Sequence, residues 1–151
     1  MIQDTAHIEK RYLRFIKTIS ESEIVYALKN KNGFATSSSI HFEDDKGFPI
    51  GLICFWAEKA FAKSCIKEDW ATYKVIKIHL SDFMENWCIG MENDGLLIGV
   101  EFDQNMFGYE AEPLETILDI TTTLKTLGKD LIFKKFTSVT DLDQQVKEIL
   151  E

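Results

Sequence analysis

Cysteine and histidine are scarce in this sequence, and their spacing does not suit the commonest structural metal sites. There are three cysteines, Cys54, Cys65 and Cys88, and three histidines in 151 residues. An odd number of cysteines does not complete a disulfide framework. Zinc ligands usually come in pairs two to four residues apart, whereas the two nearest cysteines are eleven residues apart. We therefore predict reduced, buried thiols, no metal site and no cofactor.

Motifs of common catalytic sites are also absent. The eight glycines are dispersed, so no glycine-rich loop opens a helix to cradle a phosphate. No Gly-x-Ser-x-Gly elbow exposes a serine, and nothing in the sequence places a thiol beside a base. The acid pairs Glu92/Asp94 and Glu101/Asp103 lack the spacing of a calcium loop, although paired carboxylates also serve as acid and base. We expect a protein that is not an enzyme.

Long hydrophobic runs are missing as well. The longest apolar stretch, residues 48–57, has the length of a strand and falls short of the roughly 20 residues that span a bilayer. The N-terminal residues are mixed in charge and have no apolar signal core. These absences predict a cytoplasmic protein that does not bind membranes.

Positive charge is absent from one long segment. Residues 78–124, the lysine-free segment, contain no lysine or arginine and hold the excess negative charge of a chain whose net charge is −8. Its acids are Asp82, Glu85, Glu92, Asp94, Glu101, Asp103, Glu110, Glu112, Glu115 and Asp119. Such a segment repels nucleic acid phosphates and favours a basic protein partner. The alternative is a solvated acidic surface that only keeps the protein soluble.

The residues that are present predict an α+β fold. A chain of this length, 45% hydrophobic and 28% charged, is typical of one compact globular domain, residues 1–151. Helical spacing is found in residues 5–19, 57–67, 81–87, 113–127 and 139–151, and strand patterns in residues 23–30, 34–42, 48–56, 74–80, 96–102 and 107–111. These elements predict a mainly antiparallel sheet packed with about five helices.

Several details of this prediction concern single residues. Asp4 or Thr5, Ser81 and Thr140 are expected to cap helices, and Gly128 to end one. Residues 129–139 are predicted as a strand or a connecting arm. Trp70 lies between acids and a short turn, so we expect its ring to be partly exposed and to contact a partner.

The order of aromatic and apolar residues is familiar. It runs through Phe55-Trp56, Phe61-Ala62, Cys65, Trp70, Tyr73, Ile78, Leu80, Phe83, Trp87, Asp94-Gly95 and Ile98-Gly99-Val100. This order resembles the bacterial family catalogued as domain of unknown function 2750, over about residues 8–120. The resemblance implies a fold rather than an activity, because these residues mainly form a core and no catalytic residue is carried over. Residues 121–151 are an extension of the family pattern, helical at its end.

Small size, the lack of a catalytic motif and the lysine-free segment favour a non-catalytic protein-binding module. The leading hypothesis is an immunity or antitoxin-like protein that neutralises a basic toxin or effector. Its binding residues are predicted to be Glu101, Asp103, Glu110 and Glu112, with Glu92, Asp94 and Trp70. One alternative is an acidic secretion chaperone that holds a partner segment as a dimer. The other is a small hydrolase that uses a cysteine or carboxylates. The sequence leaves open whether the protein is a monomer or a dimer.

Overall fold

A long amphipathic helix, α1 (Thr5–Ser22), begins the described part of the structure, a computed structural model that describes residues 5–151. The helix buries a stripe of side chains spaced three and four apart: Tyr12, Phe15, Ile16 and Ile19. This stripe confirms the helix that the sequence predicts over residues 5–19. The predicted cap, at Asp4 or at the side chain of Thr5, lies outside the described residues.

Seven strands form one mixed sheet. They are β1 (Ile24–Asn30), β2 (Gly33–Phe34), β3 (Thr36–Glu43), β4 (Pro49–Trp56), β5 (Lys74–His79), β6 (Leu97–Val100) and β7 (Tyr109–Ala111). One edge of β1 pairs with β5 and the other with β2 and β4, all antiparallel. Strand β4 pairs antiparallel with β3 and parallel with β6, and β7 pairs antiparallel with β6. The structure therefore confirms the α+β class and the mainly antiparallel sheet, with β4–β6 as the parallel exception.

The strand predicted over residues 34–42 is divided by Ala35. The Ala35 N–H donates to the Leu28 carbonyl of β1 at 2.9 Å, and the Ala35 carbonyl accepts from Cys54 N–H of β4 at 3.1 Å. The chain therefore leaves β1 and continues along β4. The predicted strands over residues 23–30 and 34–42 therefore do not pair along their whole length, because only β2 pairs with β1. The buried Ala35 marks the point where the chain passes from one neighbour to the other.

The other helices are shorter or longer than predicted. They are α2 (Lys59–Ser64), a 3-10 turn (Glu68–Trp70), a continuous helix over residues 80–93, α5 (Pro113–Thr126) and α6 (Val139–Leu150). The continuous helix consists of α3 (Leu80–Asp82), a π-helical turn (Phe83–Cys88) and α4 (Ile89–Asn93). The helix over residues 80–93 begins before Ser81, which therefore does not cap it. Pro113 opens α5 and Gly128 follows it with a positive φ of 69°, as the sequence predicts.

The chain after α5 forms an arm and a final helix that share the main core. No strand occurs over residues 127–138, so the arm is the correct alternative. The side chain of Glu85 accepts the backbone N–H groups of Lys134 and Lys135, which fixes the arm against the helix over residues 80–93. Ser138 caps α6 through the Asp141 N–H at 3.0 Å. The prediction of Thr140 as the cap is wrong because the helix begins one residue before it.

The sheet is covered on both faces. Phe55 of β4 packs in a larger core with α1, α5 and α6, whereas its neighbours Cys54 and Trp56 pack in a smaller core with Cys65 and Trp70. Successive side chains of a strand point to opposite faces, so the two cores lie on opposite sides of the sheet. The final helix contributes Leu142 and Val146 to the larger core. Among residues 5–151, no helix has the length and apolarity needed to cross a bilayer.

Candidate functional site

Six acids of the lysine-free segment are engaged in hydrogen bonds inside the protein. They are Asp82, Glu85, Glu101, Asp103, Glu110 and Asp119. A carboxylate that accepts such bonds can serve a partner only by giving them up or sharing them. The patch predicted around Glu101, Asp103 and Glu110 therefore does not form as a continuous set of unpaired surface charges.

Glu101 is buried rather than exposed on a strand. Strand β6 ends at Val100, and Glu101 adopts a positive φ of 56°, a strained conformation for a residue with a side chain. Its side chain is 7% exposed, and its Oε1 accepts the Ala57 N–H at 2.7 Å. Burial raises the pKa of the Glu101 carboxyl to about 7, against the opposing effect of the Ala57 N–H. The prediction that Glu101 belongs to an exposed acidic patch is wrong.

Asp103 is paired with a base from a distant part of the chain. The Arg11 Nη2 lies 3.2 Å from Asp103 Oδ2, and both side chains are mostly buried. Arg11 Nη1 also donates to the carbonyls of Glu101 and Phe107, at 3.3 and 3.1 Å. One guanidinium from α1 thus fixes the loop between β6 and β7. Asp103 is structural in this arrangement and does not lie on a strand face with Glu101.

Glu110 holds two strands of the sheet together. Its carboxylate accepts the Ser39 hydroxyl and, at 3.0 Å, the Ile40 N–H. Strands β3 and β7 do not pair through their backbones, so this side chain supplies the contact between them. Of the four residues predicted as the centre of the patch, Glu112 alone is exposed and makes no side-chain hydrogen bond within residues 5–151.

The side chains of four acids of the segment make no hydrogen bond or ion pair within residues 5–151, and they lie in or next to the wall of one shallow pocket. Glu92, Glu112 and Glu115 line a pocket of about 230 Å³, and Asp94 precedes its lining residue Gly95. Leucines 96, 97, 114 and 150 form the rest of the pocket wall with Pro113. We call the four exposed acids Glu92, Asp94, Glu112 and Glu115 the acidic face. A pocket with an apolar wall and carboxylates at its edge suits a lysine or arginine side chain, which has a long apolar stem and a cationic head.

The acidic face is formed by two helix termini of opposite polarity. Glu112 and Glu115 lie at the start of α5, where the positive end of the helix dipole stabilises acids. Glu92 and Asp94 lie at the end of the helix over residues 80–93, whose last turn has no base to offset them. Acids at a helix C-terminus cost about 0.3–1 kcal/mol each. The fold therefore keeps two unfavourable charges at this place.

Trp70 is not a surface residue. It is 6% exposed, and its ring packs edge to face against Trp56, with ring centroids 5.9 Å apart. The prediction of partial exposure is wrong because the 3-10 turn directs the ring into the smaller core rather than outward. The burial of the ring leaves little of it for a partner to contact.

The cysteines are free and buried, as predicted. Burial raises the pKa of the Cys54 and Cys88 thiols far above the ordinary value, which disfavours the thiolate at neutral pH. Cys65 Sγ donates to the Phe102 carbonyl at 3.3 Å, and burial also raises its pKa. In the part of the chain that is described, no group of three or more Cys, His, Asp or Glu side chains is arranged to hold a metal ion.

A second concave region, the α1 cleft, lies where α1 crosses the ends of β4 and β6. It has a volume of about 160 Å³ and is lined by His7, Arg11, Arg14, Phe15, Thr18, Ala57, Glu58, Phe61 and Glu101. It contains Glu101, whose pKa burial raises, together with Arg14 of α1. A strained residue with a perturbed pKa in a cleft is a common mark of a functional site.

Comparison with known proteins identifies the family of the chain but no activity. A family described as "Protein of unknown function (DUF2750)" matches residues 12–120, more than half of the chain. The chain belongs to this family. No curated protein and no solved structure matches it. The DUF2750 region includes the whole acidic face together with Arg14 and Glu101, and it leaves out Arg11 and α6.

Sequence reasoning missed the basic side of the α1 cleft in this DUF2750 chain. Basic residues of an amphipathic helix are usually on its solvated face, yet Arg11 is mostly buried and Arg14 lines the cleft. The sequence does carry one relevant signal: Arg11 and Arg14 are three residues apart and therefore lie on the same side of the helix. Which strand ends they meet is decided by tertiary packing and is not visible in the sequence.

Proposed function

We propose that the protein is a non-catalytic binding module whose acidic face captures a basic segment of a partner protein, in the manner of an immunity or antitoxin protein. The observation that carries this proposal is the convergence of Glu92, Asp94, Glu112 and Glu115. The side chains of these four acids make no hydrogen bond or ion pair within residues 5–151. Glu92, Glu112 and Glu115 line one leucine-walled pocket, and Asp94 lies next to its lining residue Gly95. The other six acids of the segment already have donors within the fold.

The electrostatics of the acidic face favour a cationic occupant. Four like charges gathered on one surface repel one another, and a bound lysine or arginine would relieve that repulsion. Glu92 and Asp94 in addition oppose the negative end of their helix. A basic partner would therefore gain from charges that destabilise the isolated protein, and opposite charges would speed its approach at low salt.

The shape of the face sets the size of the segment that fits. A pocket of about 230 Å³ accepts one or two long side chains and is too small for a folded domain. Leu150, which is 48% exposed, and the partly buried Leu96 contact the stem of an entering lysine or arginine. The surrounding contacts of a larger partner would then lie on the rim, where charges affect association rate and salt dependence more than affinity.

The proposal is tested by removing the four charges together. The face variant E92Q/D94N/E112Q/E115Q keeps the size of each side chain. The control variant E43Q/D45N/E68Q/D69N removes four exposed acids elsewhere and so has the same net charge. At about 0.2–1 kcal/mol for each of four surface pairs, we expect the face variant to bind a short lysine- and leucine-containing peptide between about fourfold and several hundredfold more weakly than the wild type. The control variant should bind like the wild type.

Partner capture from native lysate supplies the biological arm of the test. The proposal expects a basic protein that is retained by the wild type and the control variant, lost with the face variant, and released by salt. Equal peptide affinity and equal capture by all three proteins would refute it, as would losses that follow net charge alone. Light scattering on the purified protein separates a monomeric inhibitor from the dimer that a secretion chaperone would require.

A further inference from the structure

The α1 cleft lies at the place where open sheets with parallel strands usually bind ligands. Strands β4 and β6 run parallel, and the cleft is lined by the residues that follow their carboxyl ends, Ala57 and Glu58 after β4 and Glu101 after β6. Ligands of open α/β sheets bind in the crevice beyond the carboxyl ends of such strands. The position of this cleft is independent of the acidic face, which is formed by helix termini.

Two arginines of α1 line the cleft, and they differ in exposure and in the hydrogen bonds of their side chains. Arg11 donates to two carbonyls and to Asp103, and it is 12% exposed. Arg14 is exposed and lines the cleft, and its side chain makes no hydrogen bond or ion pair within residues 5–151. Arg14 is near enough to Glu101 to lower the pKa of that carboxyl by its charge, but it does not bond to it. Among the described residues, nothing accepts a hydrogen bond from its guanidinium, which offers up to five donors to a ligand.

Glu101 presents the opposite wall of the cleft. Its Oε1 accepts the Ala57 N–H, and its Oε2 has no hydrogen-bond partner among the described residues. The positive φ of Glu101 and the clamp that Arg11 places on the Glu101 carbonyl hold the side chain in this orientation. One wall therefore offers a free guanidinium and the other a buried carboxyl with one free oxygen.

We propose that the α1 cleft binds a small organic oxyanion, a carboxylate or a phosphate ester, whose anionic group pairs with Arg14 and meets the free oxygen of Glu101. The cleft volume of about 160 Å³ equals the volume that about five water molecules occupy in the liquid, at about 30 Å³ each. This volume is smaller than that of pockets which bind drug-sized ligands. The ligand is therefore of metabolite size. Phe15 and Phe61 supply the apolar part of the wall.

Binding of an oxyanion in the cleft is coupled to protonation of the Glu101 carboxyl. Glu101 shares the cleft with Arg11, Arg14 and His7 from α1 and with Glu58 from the end of β4, and Asp103 and Cys65 lie nearby. An anion beside Glu101 opposes its ionisation and accepts a hydrogen bond from its protonated form. The site thus takes up a proton when it binds near neutral pH, and affinity falls as the pH rises above about 7.

The test follows the backbone amide signals of the cleft by NMR while acetate or sulfate is added to the protein. Acetate represents the carboxylate source and sulfate the phosphate ester, and neither ion titrates near pH 7. We expect saturable shifts at Ala57 and Glu101 with one of the two ions, stronger at pH 6 than at pH 8. R14Q should weaken binding at least about tenfold, because a hydrogen-bonded charge pair is lost.

Two further variants complete the test. E101Q, whose amide donates at every pH, should bind without the pH dependence of the wild type. K17Q removes an exposed base one turn along α1 that does not line the cleft, and it should bind like the wild type. The proposal is overturned if neither ion gives saturable shifts at the cleft, if R14Q binds like the wild type, or if K17Q weakens binding as much as R14Q does.

Discussion

Glu101→Gln is the substitution that most directly probes the strained end of β6. Glutamine keeps the length of the side chain, and its carbonyl oxygen accepts the Ala57 N–H as Glu101 Oε1 does. It removes the ability to ionise in a site that is only 7% exposed. We expect E101Q to be more stable than the wild type at pH 8 and to differ little from it at pH 5.

The direction and the magnitude follow from the pKa of Glu101. Burial raises this pKa from an ordinary value of 4.5 to about 7 in the folded protein. Between these values the folded state binds more protons than the unfolded state, so stability falls as the pH rises from about 4.5 to about 7. At 1.36 kcal/mol for each pH unit, ionisation of Glu101 costs the folded state about 3 kcal/mol at pH 8, which E101Q recovers.

Urea unfolding at pH 5 and pH 8 measures this difference. The quantity to compare is the free energy of unfolding of E101Q minus that of the wild type at each pH, with equal urea slopes required for both proteins. E43Q, which removes an exposed acid in β3, serves as the control and should show no such pH dependence. The reasoning is refuted if E101Q stabilises equally at both pH values, or if it destabilises the protein at pH 8.

Three other substitutions test the contacts that fix the loops and the arm. Gly108→Ala places a Cβ 2.6 Å from the Val100 carbonyl oxygen and directly against a ring carbon of Phe102, so we expect urea unfolding to show a loss of about 3 kcal/mol in the free energy of unfolding. Glu85→Ala leaves two backbone N–H groups of the arm unpaired, which should cost about 2 kcal/mol and speed hydrogen exchange in residues 129–138. Asp143 is buried, yet its bonds to two lysines and a threonine lower its pKa to about 2. Asp143→Asn should therefore destabilise the protein at pH 7 in urea unfolding. The difference in the free energy of unfolding from the wild type should shrink as the pH falls below 4, where the wild-type carboxylate becomes protonated.

Elements whose local pattern agrees with their tertiary setting were predictable from the sequence. The stripe on α1, Pro113 at the start of α5 and Gly128 after its end all follow from residues adjacent in the chain. The aromatic stretch around Trp56 was predicted as core, and the structure confirms it. These features depend on backbone preferences and on apolar periodicity, which a single sequence records.

Features decided by contacts between distant residues were not predictable in the same way. Ala35 divides a strand because it lies between β1 and β4, and nothing in its neighbours along the chain indicates that position. Glu85 has the spacing of a helix cap but binds an arm 49 residues away. The parallel pairing of β4 with β6 depends on which strand edges remain open after β1, β3 and β5 are in place.

The lysine-free segment shows why a count of charges along the chain does not locate a binding surface. Glu101, Asp103 and Glu110 are close in sequence to Glu112, yet they bond to Ala57, Arg11 and the β3 backbone, which lie 44 to 92 residues away. The charges left over belong to helix ends rather than to the hairpin. Because the acidic face and the α1 cleft are formed by different elements, the two proposals fail separately. The face variant leaves Arg14 and Glu101 unchanged and should still bind an oxyanion, whereas R14Q leaves all four acids in place and should still bind a basic peptide.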